Sequence, residues 1–136
     1  MYKHIIVAID LNHGEAGRDL LRKADALLDE GGTIRVLNVV EDVPSYIAAE
    51  LPQDIASRRT AEASVELGVL TGDLTGKVEI EVRHGAASAQ ILECADIHNA
   101  DLIMIASHRP GLSDYFIGST AARVVRHAQT SVLISR

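Results

Sequence analysis

Two unbroken aliphatic runs, Ile5-Ile6-Val7-Ala8-Ile9 and Leu102-Ile103-Met104-Ile105-Ala106, limit most sharply what this chain can fold into. A strand that is apolar on both faces must be covered on both faces, as a parallel strand in the middle of an α/β sheet is. Around these runs the apolar period changes. Leu20, Leu21, Ala24, Leu27 and Leu28 recur at helical spacing up to Gly31-Gly32, which reads as a helix stop. Thr33 to Val40 reads as the second strand. Glu41 to Gln53 is irregular, broken by Pro44 and Pro52. A long helix is expected from Gln53, with Ile55, Ala61, Val65, Val69 and Leu70 on its inner side.

Thr71 to Gly76 reads as a loop, and Val78 to Val82 alternates strictly, as an edge strand with one solvated face does. After a turn at His84-Gly85, Ala87, Ile91, Ala95 and Ile97 mark a third helix. A fourth opens at Gly118-Ser119-Thr120 and carries Ala121, Val124, Val125 and Ala128. Ser131 to Ile134 is the last strand. Five strands alternating with four helices predict an α/β fold, an open doubly wound parallel sheet with right-handed crossovers. With no internal repeat or low-complexity segment, residues 1–136 are expected to form a single domain.

The charge excludes some partners. The chain of 136 residues carries a net charge of −6, so a surface that binds nucleic acid by charge alone is not expected. A small anion held by backbone N–H groups remains compatible with that charge. One cysteine, Cys94, leaves no internal disulfide and suits a reducing compartment. No apolar run approaches the ~18 residues of a membrane span, and the first strand follows Met1 with no leader-like stretch. A cytoplasmic location with no membrane partner is expected.

In an open parallel sheet, ligands bind beyond the carboxyl ends of the strands where strand order reverses. The first and fourth strands, the most apolar, should be central neighbours, and their carboxyl ends carry Asp10 and Ala106-Ser107. At that place Asp10 meets a ribose hydroxyl, an amine or a metal-bound phosphate, or else caps the following turn. Gly118-Ser119-Thr120 opens a helix whose free N–H groups and positive end suit phosphate, although Ser and Thr are also plain N-caps. In the polar loop Ser107-His108-Arg109-Pro110-Gly111, Arg109 is placed to clamp a phosphate through its planar fork. His108 either joins it or stands in solvent.

Other chemistries find no motif. There is no Walker-type loop, since no Lys precedes Ser119, and no Gly-x-Ser-x-Gly elbow. The six histidines show no HExxH spacing and no paired Cys accompanies them, so no structural zinc site is expected. Cys94 reads as a small core residue of the third helix, Arg58-Arg59 as a solvated helix face, and His127 as a cation at a helix end.

The run from Ile103 to Ile134, with ASHRPGLSDYFIGSTAARVVRHAQTSVLI following the apolar strand, resembles the C-terminal signature of the universal stress protein family. Tyr2 to Asp10 is similar to that family's opening strand with its terminal Asp, and Val36 to Val40 to its adenine-binding strand. The resemblance covers the whole chain. It implies strand order 3-2-1-4-5 and an adenine-nucleotide alpha hydrolase-like fold. It further implies ATP binding (with AMP or ADP as variants), Asp10 at the ribose or a Mg2+ ion, Val39 holding adenine through its backbone, and phosphates on Gly118, Ser119 and Thr120.

The family's ATP-binding members carry glycine, two residues, glycine, nine residues, glycine, then Ser or Thr. Here Ala106 and Arg109 stand at the first two glycine positions, and eight residues separate Arg109 from Gly118. A subgroup with a similar Ser-His-Arg-Pro loop is implied still to bind ATP, so Ala106, Ser107, His108 and Arg109 are counted with the nucleotide site. The expected function is a stress-response regulatory protein that binds ATP. The alternatives are a slow ATPase or phosphotransferase, and a dimeric interaction module without nucleotide. The apolar last strand, Ser131 to Ile134, is expected at a sheet edge, where it invites a homodimer, and a tetramer is open.

Overall fold

The computed structural model describes residues 1–41, 53–107 and 118–136. In these residues the order is β1 (Tyr2–Ala8), a 3-10 turn (Leu11–His13), α1 (Gly14–Leu27), β2 (Leu28–Val40), α2 (Gln53–Leu70), β3 (Lys77–His84), α3 (Ala87–Ile97), β4 (Leu102–Ala106), α4 (Ser119–His127) and β5 (Ser131–Ser135). The five strands form one sheet in the order β3-β2-β1-β4-β5. Every pairing is parallel. β1 and β4, which carry the two aliphatic runs, are neighbours in the interior. Alternating β3 and short β5 form the two edges, as their patterns predict.

Side-chain alternation divides the core into two layers. Ile5, Val7 and Ile9 face one side, with Ile34, Val36, Leu102 and Met104 beside them. Leu20, Leu21 and Ala24 of α1 and Leu67 of α2 cover that face. Ile6, Leu37, Ile103 and Ile105 face the other, under Ile91, Cys94 and Ala95 of α3 and Ala121 and Val124 of α4. Burial of this aliphatic surface is the main term holding the layers together. At the amino ends of the central strands, Asp101 accepts from the backbone N–H of Lys3 at 2.8 Å and of His4 at 3.0 Å.

Two local expectations are corrected. Gly31-Gly32 does not stop a helix: α1 ends at Leu27 and both glycines lie inside β2. The β1–β2 register jumps there, from Tyr2 opposite Leu28 to His4 opposite Thr33. Gly31 has φ +81°, and a Cβ on Gly32 would meet the Lys3 carbonyl oxygen at 2.8 Å. The pair therefore serves an irregular strand, where only glycine fits.

The inner face of α2 is also rotated from the expected one. Ala63 and Leu67 are buried, whereas Val65 and Val69 are each 67% exposed. Ala61 is exposed too, while Leu70 packs against the core as expected. No helix among the described residues is long and apolar enough to cross a membrane.

Candidate functional site

Past the carboxyl ends of β1, β2 and β4 lies a cavity of about 670 Å³. It opens where β1 stands between β2 on one side and β4 on the other, the point at which strand order reverses. Its lining includes Asp10, Val39, Ala106, Ser107, Gly118, Ser119 and Thr120. Seven of the nine residues expected at the site are thus together. His108 and Arg109 lie outside the described residues.

The first strand ends by turning away from its neighbour. Ile9 still donates its N–H to the Leu37 carbonyl at 2.8 Å, but the chain then enters the 3-10 turn. Asp10 caps this turn: its Oδ1 accepts from the Asn12 N–H at 2.9 Å. Its Oδ2 lies 3.9 Å from His13 Nε2 and on an exposed side chain. One oxygen of Asp10 therefore caps the turn, and the other stands on an exposed side chain near His13.

Because β1 departs, the end of β2 loses its partner on that side. Backbone groups of successive residues in a strand turn to opposite neighbours. The Leu37 carbonyl serves β1, and the Val40 carbonyl accepts from Gly85 N–H beyond β3 at 3.1 Å. Val39, two residues after Leu37, accordingly turns its N–H and C=O to the β1 side, where the ladder has already ended at Ala8. Its polar edge faces the cavity. An adenine-like ring, which offers a donor and an acceptor side by side, has the shape to meet such an edge.

Opposite stands the amino end of α4. Gly118 is its N-cap, with φ −54° and ψ 154° and no side-chain capping bond. A glycine with such angles is not needed for backbone reasons. Among the described residues, a Cβ built on Gly118 meets nothing within 4 Å. The first-turn N–H groups of α4 thus point into a space that no described capping side chain fills, which is what an anion requires.

Sequence reasoning missed several residues that shape this cavity. Asn38 is one of the two buried polar residues among those described, and its Nδ2 donates to the Ile9 carbonyl at 2.9 Å. It fixes the point at which β1 leaves the sheet. A lone Asn inside an apolar strand was the available signal. Arg59, Glu62 and Glu66 of α2 and Glu41 after β2 also line the cavity. Arg59, expected on a solvated face, is exposed and stands at the cavity. Four carboxylates (Asp10, Glu41, Glu62, Glu66) stand against one guanidinium among the described lining residues, so the wall is acidic overall.

Comparison with known proteins agrees with this architecture. The model of the Universal stress protein family matches residues 1–136. Universal stress protein G of Shigella flexneri is 29% identical over 142 residues, covering 100% of both chains. Among solved structures, universal stress protein UspA from Lactobacillus plantarum superposes with a TM-score of 0.74 at 21% identity, covering 99% of this chain and 98% of that one. A universal stress protein in complex with cAMP superposes with a TM-score of 0.63, also at 21% identity, covering 99% of this chain and 97% of that one. At these identities the two structures show a shared fold.

Proposed function

The chain belongs to the universal stress protein family, and from that premise we propose that it is a stress-response regulatory protein that binds ATP in the cavity at the carboxyl end of its sheet. The observation that carries the proposal is the pairing, across about 670 Å³, of two backbone surfaces that find no partner among the described residues: the Val39 edge on one side and the start of α4, with no side-chain cap, on the other. The first suits a base, and the second suits phosphates. Asp10, at the rim between them, suits a ribose hydroxyl or a metal ion. The cAMP complex of a related fold supports an adenine ligand in this architecture. Ser107, His108 and Arg109 complete the phosphate end in this reading, with Arg109 supplying positive charge where the family usually uses glycine amides.

The acidic wall bears on the form of the ligand. Bare ATP would meet Asp10, Glu41, Glu62 and Glu66 as like charges. A Mg2+ ion removes much of that repulsion, and hard oxygen donors such as Asp10 are the ligands it takes. Binding should therefore be stronger with Mg2+ than in its absence. Calorimetric titration with ATP, with and without Mg2+, is expected to give one site per chain and tighter binding with the metal. Absence of heat at millimolar ATP in both titrations would remove the proposal.

We read the site as one for binding and not turnover. No lysine is among the described residues lining the cavity, and Asp10 already spends one oxygen on its turn. The reading includes a symmetric dimer through β5, which pairs with β4 alone in the sheet. Sedimentation at micromolar concentration is expected to show the dimer, and a monomer throughout would remove that part.

A further inference from the structure

Away from the cavity, the face of the sheet under α3 gives up its apolar character at the β3 edge. Arg35 of β2 lies opposite Glu79 of β3, and Leu37 opposite Glu81. Arg35 donates from Nη1 to Glu81 Oε1 at 3.1 Å and from Nη2 to Glu79. Arg83 donates from Nη1 to Glu81 Oε2 at 2.9 Å and pairs through Nη2 with Glu93 of α3 at 3.0 Å. At the exposed end of this ladder Lys77 pairs with Glu79 at 3.6 Å.

Into the same place α3 delivers two soft or borderline donors. Cys94 and His98 are four residues apart, so they share one side of the helix. His98 is its C-cap, and its Nε2 lies 3.1 Å from Glu81 Oε1. Cys94 is completely buried beneath it. One ligand atom from each of Glu81, Cys94 and His98 lies within 4.8 Å of the other two. A tetrahedral zinc centre, with ligands at roughly 2.0–2.3 Å, holds such atoms about 3.5 Å apart. Displacements of the ligand atoms by about an ångström would close the set.

We propose that Glu81, Cys94 and His98 form a zinc-type metal site that ties edge strand β3 to α3, with a fourth position left to water. Thiolate, imidazole and carboxylate together select zinc or a similar borderline cation over magnesium or calcium, which take oxygen donors. The thiolate and the Glu81 carboxylate supply two negative charges for a dication. The two guanidiniums oppose the cation, but each keeps a second carboxylate when Glu81 turns to the metal: Glu79 for Arg35 and Glu93 for Arg83. Access runs past His98 and Glu81, whose side chains are 31% and 21% exposed.

The apo thiol has no role as a nucleophile. Burial, with the Glu81 charge adding to it, pushes it up to about 12, so it stays protonated at neutral pH. A metal ion displaces that proton. No local motif announced the site, because its ligands come from two elements that only the sheet brings together. None of the three lines the cavity at the carboxyl end of the sheet, so the site stands apart from nucleotide binding.

Titration of Co2+ into the metal-free chain is the test. We expect one ion per chain, the strong visible absorption of a tetrahedral centre, and a near-ultraviolet thiolate-to-cobalt band. Cys94 is the chain's one cysteine, so that band identifies its own ligand. Zinc should displace cobalt, release about one proton per ion, and raise the melting temperature. Cys94→Ser and His98→Gln should each weaken zinc binding by about 100-fold or more, with the cobalt band lost in Cys94→Ser. The parent chain alone keeps the test decisive if either variant fails to fold, since proton release and the thiolate band are read on it. No binding at micromolar metal overturns the proposal. So does binding without the thiolate band, which would place the ion on exposed histidines and carboxylates.

Discussion

Gly118→Val should weaken ATP binding by about 100-fold, roughly 2.7 kcal/mol, while costing the fold no more than about 1 kcal/mol, the loss of a good N-cap. The two halves of this expectation come from separate observations. The backbone angles at Gly118, φ −54° and ψ 154°, are open to any residue, and no described atom lies within 4 Å of a Cβ placed there. Nothing among the described residues resists the side chain. On the proposed reading the space it enters belongs to the phosphates. A branched side chain there pushes the anion off the first-turn N–H groups, and hydrogen bonds to a charged group are worth about 1.5–3 kcal/mol each. Loss of one or two such bonds gives the expected weakening. Paired calorimetry and thermal melting check it. A variant that binds ATP like the parent would move the phosphates away from α4.

The largest effect on stability is expected from Leu67→Ala, at about 2–5 kcal/mol. Leu67 is fully buried and is the α2 residue embedded in the core formed with β1, β2 and α1. Truncating it leaves a cavity under the helix that carries Arg59, Glu62 and Glu66 to the site. Val65→Ala and Val69→Ala should each cost no more than about 0.5 kcal/mol, because both side chains are mostly in solvent already. Denaturant unfolding of the three variants separates the two faces of α2. Equal losses at Leu67 and Val65 would contradict the packing described.

That contrast shows where the sequence is informative and where it stops. The interior strands were readable because a wholly apolar run has few places to go: Ile5 to Ile9 and Ile103 to Ile105 had to be covered on both faces. The strict alternation of Val78 to Val82 placed β3 at an edge for the same reason. The face of α2 was not readable. Ala61, Val65 and Val69 form one plausible stripe and Ala63, Leu67 and Leu70 another, and only packing against β1 and β2 decides between them.

Gly31-Gly32 failed differently, since a glycine pair serves a helix end and an irregular strand equally well. At the site, Asp10 and Gly118 were legible because each follows or opens a regular element at the carboxyl end of the sheet. Arg59 and Glu66 were not, because α2 reaches the cavity only in three dimensions. Glu81, Cys94 and His98 are invisible as a set until β3 and α3 are laid together.

The central claim is that an adenine nucleotide sits between the free edge of Val39 and the start of α4. Amide chemical shifts of the isotopically labelled chain, followed during titration with ATP and Mg2+, test it most directly. The account predicts saturable shifts concentrated at Val39, Ser119 and Thr120, with the amides around Val69, on α2 beyond the cavity lining, unmoved. Shifts confined to other surfaces, or none at saturating nucleotide, would contradict it.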